Sequence, residues 1–392
     1  LSNNKVVIVG AKRTPIGSFQ GQFSDIPADE LGAAAIAAAI AHAGVDSSSV
    51  EDVLMGCVLP AGIGQAPARL AARKAGIPDA AGAVTINKVC SSGLKAIQLA
   101  NDMIIAGSAE IVVAGGMENM TRSPYLLPKA RGGHRMGHGE VLDHMFTDGL
   151  QDPDEGLMMG TYGERCASRF GFTREQQDNF VIASVNRAVK AMSGDFQNEI
   201  TPVTVRSRRG EVVYSHDQEP PSCDIGKIPS LRPAFKKDGT VTAASSSKIS
   251  DGAAATVLMS ASRAAELELK PLARIIAHAT FSQEPEWFTT APIGAITRVL
   301  ETAGWGIDEV DLFEVNEAFA AVTMAAMQEH QIEHSQMNVN GGACALGHPI
   351  GASGARLVVT LINALAQRGL SKGVAALCNG GGEATAIAVE LP

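Results

Sequence analysis

Apolar residues divide the chain into two patterned stretches, separated by one without a clear period. In the first, residues 6–9, 53–59, 84–89 and 111–114 are apolar runs of strand length. Between them lie alanine-rich helical patterns at 28–43 and 66–75, and a third helix with Leu94, Ile97, Ile104 and Ile105 along one face. The order β-α-β-α-β-α-β predicts a largely parallel sheet covered by helices. Residues 271–392 repeat it, with strands at 273–280, 312–315, 337–339, 374–378 and 384–391. Their helices fall at 293–303, 319–328 and 351–367, the last with Leu357, Leu361 and Leu365 on one face. The chain therefore reads as an α/β structural duplication without strong residue identity between its halves.

The middle stretch breaks the pattern. Pro124, Pro128, Pro153, Pro220, Pro221, Pro229 and Pro233 interrupt it, and one helix is expected, over 174–192. The predicted division is 1–118 with 250–270 as one half, 119–249 as an inserted loop domain, and 271–392 as the other half. Seven bases (Arg206, Arg208, Arg209, Lys227, Arg232, Lys236, Lys237) face four acids between Arg206 and Lys237. A solvated loop explains most such runs; a site for a phosphate-bearing substrate is the functional reading.

Composition narrows the function. Hydrophobic residues are 45% of the 392 and charged residues 19%, enough to build a large core. The formal charge of −9 argues against nucleic-acid or anionic-membrane binding driven by net charge. No uninterrupted apolar run approaches the length of a membrane span, and residues 1–5 carry no secretory pattern. Six scattered cysteines without a Cys-x-x-Cys pair suit reduced thiols in a cytoplasmic setting better than a disulfide framework or a metal site.

The duplication predicts where chemistry gathers. Cys90, in Cys90-Ser91-Ser92-Gly93, and His348, in Gly347-His348-Pro349-Ile350-Gly351, occupy equivalent strand-to-helix junctions of the two halves. Ligands of open α/β sheets collect at carboxyl ends of strands, where Asn316 and Cys378 also fall. A lone cysteine is more commonly an inert core residue. At a helix start beside an imidazole it becomes a candidate nucleophile, because both lower the thiol's pKa. Cys378 precedes Asn379-Gly380-Gly381-Gly382, whose backbone N–H groups could approach a ligand oxygen; a flexible hairpin turn is the plainer reading. His330-Gln331-Ile332-Glu333-His334 has the spacing of an inverted zinc-protease motif but lies at a polar helix end. Gly62-Ile63-Gly64 lacks the third glycine of a dinucleotide fingerprint.

These motifs together resemble the thiolase family (acetyl-CoA acetyltransferase and 3-ketoacyl-CoA thiolase) over essentially the whole chain. The resemblance rests on Arg13-Thr14-Pro15-Ile16-Gly17, Asn87-Lys88-Val89-Cys90-Ser91-Ser92-Gly93 and Gly115-Gly116-Met117-Glu118. It continues through Asn316-Glu317-Ala318-Phe319, Asn340-Gly341-Gly342, the His348 motif and Cys378-Asn379-Gly380-Gly381-Gly382. It implies a layered α-β-α-β-α fold of two βαβαβαβ-type halves with a loop domain inserted in the first. It implies an acyl-CoA C-acyltransferase using CoA thioesters, with no metal or redox cofactor. Cys90 would carry the acyl group, His348 would activate it, and Cys378 would move the α-proton. Asn316, through a water, would hold one thioester oxygen with His348; the N–H groups of Cys90 and Gly380 would hold the other. Ser247, Phe235, Met159, Ala318 and Phe319 match positions beside the pantetheine arm.

Two departures bear on substrate range. Met158 stands where many short-chain biosynthetic members have histidine, and Pro220 where some have a CoA-contacting arginine, for which Lys227 is the expected substitute. The stretch Arg131 to His138 resembles the loop through which relatives form homotetramers. A ketoacyl synthase would pair its cysteine with two histidines, whereas here the second position is Cys378. A non-catalytic acyl-CoA-binding relative has no need of Cys90, His348 and Cys378 together.

Overall fold

Hydrogen bonding joins nine strands and the two-residue segment Gly17–Ser18 into one sheet. In chain order the strands are β1 Val6–Arg13, β2 Asp52–Gly56, β3 Gly82–Ile86, β4 Ile111–Asn119 and β5 Ser250–Ser260. They continue as β6 Ala273–Ser282, β7 Leu312–Val315, β8 Lys372–Asn379 and β9 Glu383–Glu390. The computed structural model describes residues 5–207 and 210–392. Residues 1–4, and Arg208 and Arg209 of the basic stretch, lie outside the described residues.

The spatial order is β7-β8-β9-β6-β1-β5-β4-β2-β3. Its two halves meet along β1 and β6 through only two residue pairs, Val7 with Arg274 and Ile8 with Ala273. The order exposes the duplication: β6, β7, β8 and β9 take the places that β1, β2, β4 and β5 hold in the first half. The strand expected at 337–339 is reduced to one parallel bridge, Met337 with Phe313, following the tight turn His334–Gln336.

The sheet is mixed, not largely parallel as the alternating pattern predicts. Only β2 with β3, β2 with β4, and β7 with β8 run parallel. β5 returns from the inserted region and pairs antiparallel with both β1 and β4. β9 follows β8 through the turn at Gly380–Gly382, and so short a connection permits only an antiparallel partner.

Among the described residues eight helices are longer than six residues: α1 Ala28–Ala43, α2 Pro67–Lys74, α3 Ser92–Ala106, α4 Met159–Phe170, α5 Arg174–Met192, α6 Ala291–Ala303, α7 Ala320–His330 and α8 Ile350–Arg368. Period-two alternation in β1 sends Val7 and Val9 to one core, with α1 and α2, and Val6 and Ile8 to another. That second core contains α3 and α8 and is closed on its far side by Ile275, Leu377 and Ile387 of the other half. α6 and α7 cover the outer face of that half. The result is five layers, α-β-α-β-α, with α3 and α8 in the middle. By length and apolarity α8 could cross a membrane, but 83% of its apolar window is buried in that middle layer.

The inserted region holds two helices where one was expected. The sequence of α4 hides its helix because Gly160 and Gly163 are poor helix formers. Both are needed for packing: a Cβ on Gly160 would lie 2.2 Å from the Phe235 ring, and one on Gly163 2.9 Å from the Phe319 ring. Thr173 and Gln176 form a capping box that starts α5. The insertion is anchored by buried Arg13, whose guanidinium meets Glu199 at 2.6 Å and both Asp217 oxygens at 2.8 and 2.9 Å.

Close backbone approach at the sheet centre is a requirement with a measurable consequence. A Cβ on Gly116 of β4 would lie 2.0 Å from the Gly351 carbonyl oxygen of α8. Gly116→Ala is expected to destabilise the protein by about 3 kcal/mol or more, read as a lower urea midpoint at fixed protein concentration. An unchanged midpoint would show that α8 can move away freely.

Candidate active site

The two middle-layer helices begin side by side, and the candidate residues Cys90 and His348 lie just before their first turns. β3 stops at Ile86, short of the expected Val89, and residues 87–91 form a turn. Val89 adopts a left-handed φ of 48°. The turn is held by Asn87 Oδ1 accepting from Val89 N at 2.9 Å and Ser92 Oγ accepting from Lys88 N at 2.8 Å. Cys90 follows, partly exposed, immediately before α3. Ser91 Oγ donates to the Leu377 carbonyl at 3.5 Å and accepts from Thr385 Oγ1 at 3.0 Å. These contacts bring the Cys90 turn against β8, one residue from buried Cys378.

His348 precedes α8. Gly347 sits at φ 110°, and a Cβ there would lie 2.2 Å from Ser250 Oγ, so the loop requires glycine. The His348 N–H donates to the Lys248 carbonyl at 2.9 Å. Its ring is fixed at both nitrogens: Nδ1 lies 2.5 Å from Ser353 Oγ, and Nε2 lies 3.4 Å from Asn316 Nδ2. The Ser353 hydroxyl donates to the Pro349 carbonyl at 2.9 Å, so it accepts from Nδ1–H. Nε2 then carries the lone pair, the tautomer assigned by this network. Burial, with Arg356 adding to it, lowers the imidazole to about 3, so it rests neutral.

The thiols behave differently from the expectation built on helix position. Burial pushes Cys90 up to about 12, against the smaller opposing influence of the backbone N–H groups of Cys90 itself and Gly380. Burial also raises Cys378 well above the ordinary thiol value, with the Cys90 charge adding to the effect. Desolvation outweighs the favourable helix terminus. Both sulfurs therefore rest as thiols, and nucleophilic attack must be coupled to proton removal. Among the described residues no hydrogen bond joins the His348 ring to either thiol.

Asn316 follows β7, its N–H donating to the Ala376 carbonyl at 3.0 Å, and its Oδ1 is buried without a protein donor. The glycine run after Cys378 forms the β8–β9 turn, and the Gly380 N–H is among the influences that favour charge on Cys90. Met159, Phe235, Ala318 and Phe319 share an apolar cluster with Cys378, the Phe235 and Phe319 rings meeting edge-on at 6.1 Å. Ser247 joins them through its N–H on the Ala318 carbonyl at 3.0 Å. Lys227 stands apart, an exposed surface residue paired with Asp224 at 3.1 Å. His330 and His334 make no shared site: one bonds the Ile293 carbonyl at 3.0 Å, the other packs on Phe180.

Three polar residues that hold the site were given no role by the sequence. Ser353 sets the His348 tautomer. Glu317, in the quoted Asn316 motif, is buried and accepts from Ser184, from Asn338 Nδ2 at 2.9 Å and from Cys344 N at 3.1 Å. Glu118, in the quoted Gly115 motif, accepts from three backbone N–H groups beside the site. The available signal was their position, a polar residue inside an otherwise apolar or glycine-rich motif.

The comparisons agree along the chain. Residues 6–262 match the family model for the thiolase N-terminal domain, and residues 269–391 that for the thiolase C-terminal domain. The acetyl-CoA acetyltransferase of Pseudomonas aeruginosa is 48% identical over 385 residues, covering 97% of this chain and 98% of that protein. That of Cupriavidus necator is 49% identical over 388 residues, covering 98% and 99%. The crystal structure of the Bacillus anthracis acetyl-CoA acetyltransferase superposes with a TM-score of 0.97 at 41% identity, with 100% of each chain covered.

Proposed function

The chain belongs to the thiolase family, and on that premise we propose that it is an acetyl-CoA C-acetyltransferase, reversibly converting two acetyl-CoA into acetoacetyl-CoA and CoA. The observation that carries the reading is the meeting of Cys90 with the starts of both other motifs: it packs against Ile350, two residues past neutral His348, and its neighbour Ser91 bonds the Leu377 carbonyl at 3.5 Å, one residue before Cys378. The backbone N–H groups of Cys90 and Gly380, which favour charge on that sulfur, are the donors available to the oxygen of an acyl group carried there.

In this reading Cys90 Sγ attacks the first thioester, its proton passes by way of the unprotonated His348 Nε2 to the departing CoA sulfur, and S-acetyl-Cys90 remains. Cys378 first releases its own proton to solvent and, as thiolate, removes an α-proton from the second acetyl-CoA. The enolate carbon attacks the acetyl carbonyl, the Cys90 C–S bond breaks, the proton held by Cys378 restores the Cys90 thiol, and a proton from solvent restores that of Cys378. Atoms balance, and splitting the transfer through a covalent intermediate replaces one difficult step with two easier ones. Asn316 Oδ1 is the acceptor available to a water whose other O–H would hold the thioester oxygen of the second substrate.

The apolar cluster of Met159, Phe235, Ala318 and Phe319, with Ser247 beside it, suits the pantetheine arm. Exposed Lys227 suits a phosphate at the far end of CoA. The same reading assigns 1–118 with 250–270 and 271–392 to the two catalytic halves, and 119–249 to CoA binding and assembly. Tyr125, Leu127 and Met136, exposed by 68%, 53% and 96% on the inserted loop, favour burial between copies in a homotetramer. Six free cysteines suit a reducing, cytoplasmic compartment.

Thiolysis of 3-ketoacyl-CoA thioesters of graded length tests the proposal. Acetoacetyl-CoA is expected to have the highest kcat/KM. Met158 in place of histidine favours a second reading, a preference for longer chains, which a maximum at greater length would support instead. No thiolysis at any length would refute both.

A further inference from the structure

We propose that Glu118 is a positioning residue for acyl transfer: its buried carboxylate clamps the loop after β2 to the first turn of α8 and keeps the Cys90 turn and the His348 loop in register. The inference rests on the reading of Cys90 as the nucleophile. Glu118 is fully buried in β4. Oε2 accepts from Val58 N at 2.9 Å and from Gly351 N at 2.9 Å, and Oε1 accepts from Leu59 N at 3.1 Å. Gly351 is three residues beyond His348, in the first turn of α8, so the carboxylate holds the helix by which the imidazole is carried. Space for this contact exists only because residue 351 lacks a side chain: a Cβ there would lie 2.6 Å from Glu118 Oε2. Val58, Leu59 and Ile350, the neighbours of those N–H groups, form one apolar cluster against which Cys90 packs.

The clamp uses both carboxylate oxygens as acceptors, which an amide could not match. A carboxylate here is costly, because among the described residues no cation is hydrogen-bonded to it and burial pushes it up to about 7. The ionisable groups around it are thiols and acids. Cys57, from the loop after β2, has its sulfur 3.7 Å from Oε1. Cys90, from the turn after β3, is made harder to ionise by the Glu118 charge. β5 contributes Asp251, beside Gly252, the strand partner of Glu118, but its carboxylate is taken up by Thr121. α1 contributes Asp29, which acts on Cys57. α8 offers its positive N-terminal end through the Gly351 N–H. Burial is what chiefly keeps Cys90 protonated, and the charge of Glu118 adds a smaller effect in the same direction.

Two variants separate geometry from charge. Glu118→Gln keeps the size, loses the charge and turns an N–H₂ group toward donors. Its kcat for acetoacetyl-CoA thiolysis is expected to fall about 10²-fold with KM within about threefold. Its Cys90 is expected to be alkylated by iodoacetamide at least about threefold faster at pH 8, because more thiolate is present. Glu118→Asp keeps the charge and shortens the reach, so kcat falls while the pH profile of alkylation matches the parent. A merely structural role would not accelerate alkylation while slowing turnover. Parental kcat in Glu118→Gln, or an alkylation profile superposing on the parent's, overturns the proposal. If Glu118→Gln does not fold, Glu118→Asp decides alone: slower turnover with an unchanged profile supports it, and a shifted profile overturns it. Label on a cysteine other than Cys90 in acetyl-CoA-treated parent protein would instead remove the reading beneath it.

Discussion

Cys90→Ala is expected to lower kcat for both condensation and thiolysis by on the order of 10⁴-fold or more, equivalent to about 5.5 kcal/mol of lost transition-state stabilisation. The size follows from what is lost. Without the sulfur there is no acyl-enzyme, and the remaining route is direct attack of one bound CoA ester on another. The N–H groups of Cys90 and Gly380 stay in place, so thioester binding and KM should change little. The substitution removes a neutral thiol, since burial holds Cys90 near 12, and leaves no buried charge unpaired. Fold stability should therefore fall far less than activity, which separates a chemical from a structural role. Mass spectrometry after incubation with acetyl-CoA gives the direct check. The parent should gain one acetyl group on Cys90, and Cys90→Ala none; an acetyl group on another cysteine in the parent would refute the assignment.

The reactive set was legible because the duplication supplies a geometric rule. Equivalent strand-to-helix junctions of two similar halves, joined edge to edge and covering one pair of central helices, must lie near each other. Cys90 and His348 were placed by that rule before any coordinates. Its failure was in strand direction. Alternating β and α segments predict parallel neighbours, but the position of β5 depends on where a chain returns after an insertion of over a hundred residues, and no local pattern encodes that. The missing strand at 337–339 and the unexpected α4 have a similar origin: tertiary packing decided them, through the His334–Gln336 turn and the two glycines under Phe235 and Phe319.

The electrostatics were harder to read than the geometry. A helix start and a nearby histidine both argue for an acidic thiol, yet neither gives the degree of burial, which dominates at Cys90, Cys378 and His348. The supporting residues were hidden for a related reason. Glu118, Glu317 and Ser353 act through backbone N–H groups or through another side chain, and such partners come from distant parts of the chain. Their motifs were visible; their contacts were not.

Cys378→Ala is expected to leave acetylation of Cys90 intact while abolishing α-proton exchange and reducing condensation about 10³-fold or more. Cys378 is buried, and its acidity is further suppressed by negative charge on Cys90. Cys90 is uncharged both as resting thiol and as thioester, so burial is the main barrier to Cys378 acting as base in the proposed second half-reaction. Deuterium uptake into the acetyl methyl group of acetyl-CoA in heavy water reports Cys378 alone, and the mass of the intact protein reports Cys90 alone. Exchange at the parental rate in Cys378→Ala would assign the base to another residue. Loss of Cys90 acetylation in the same variant would mean that the two sulfurs act in one concerted step.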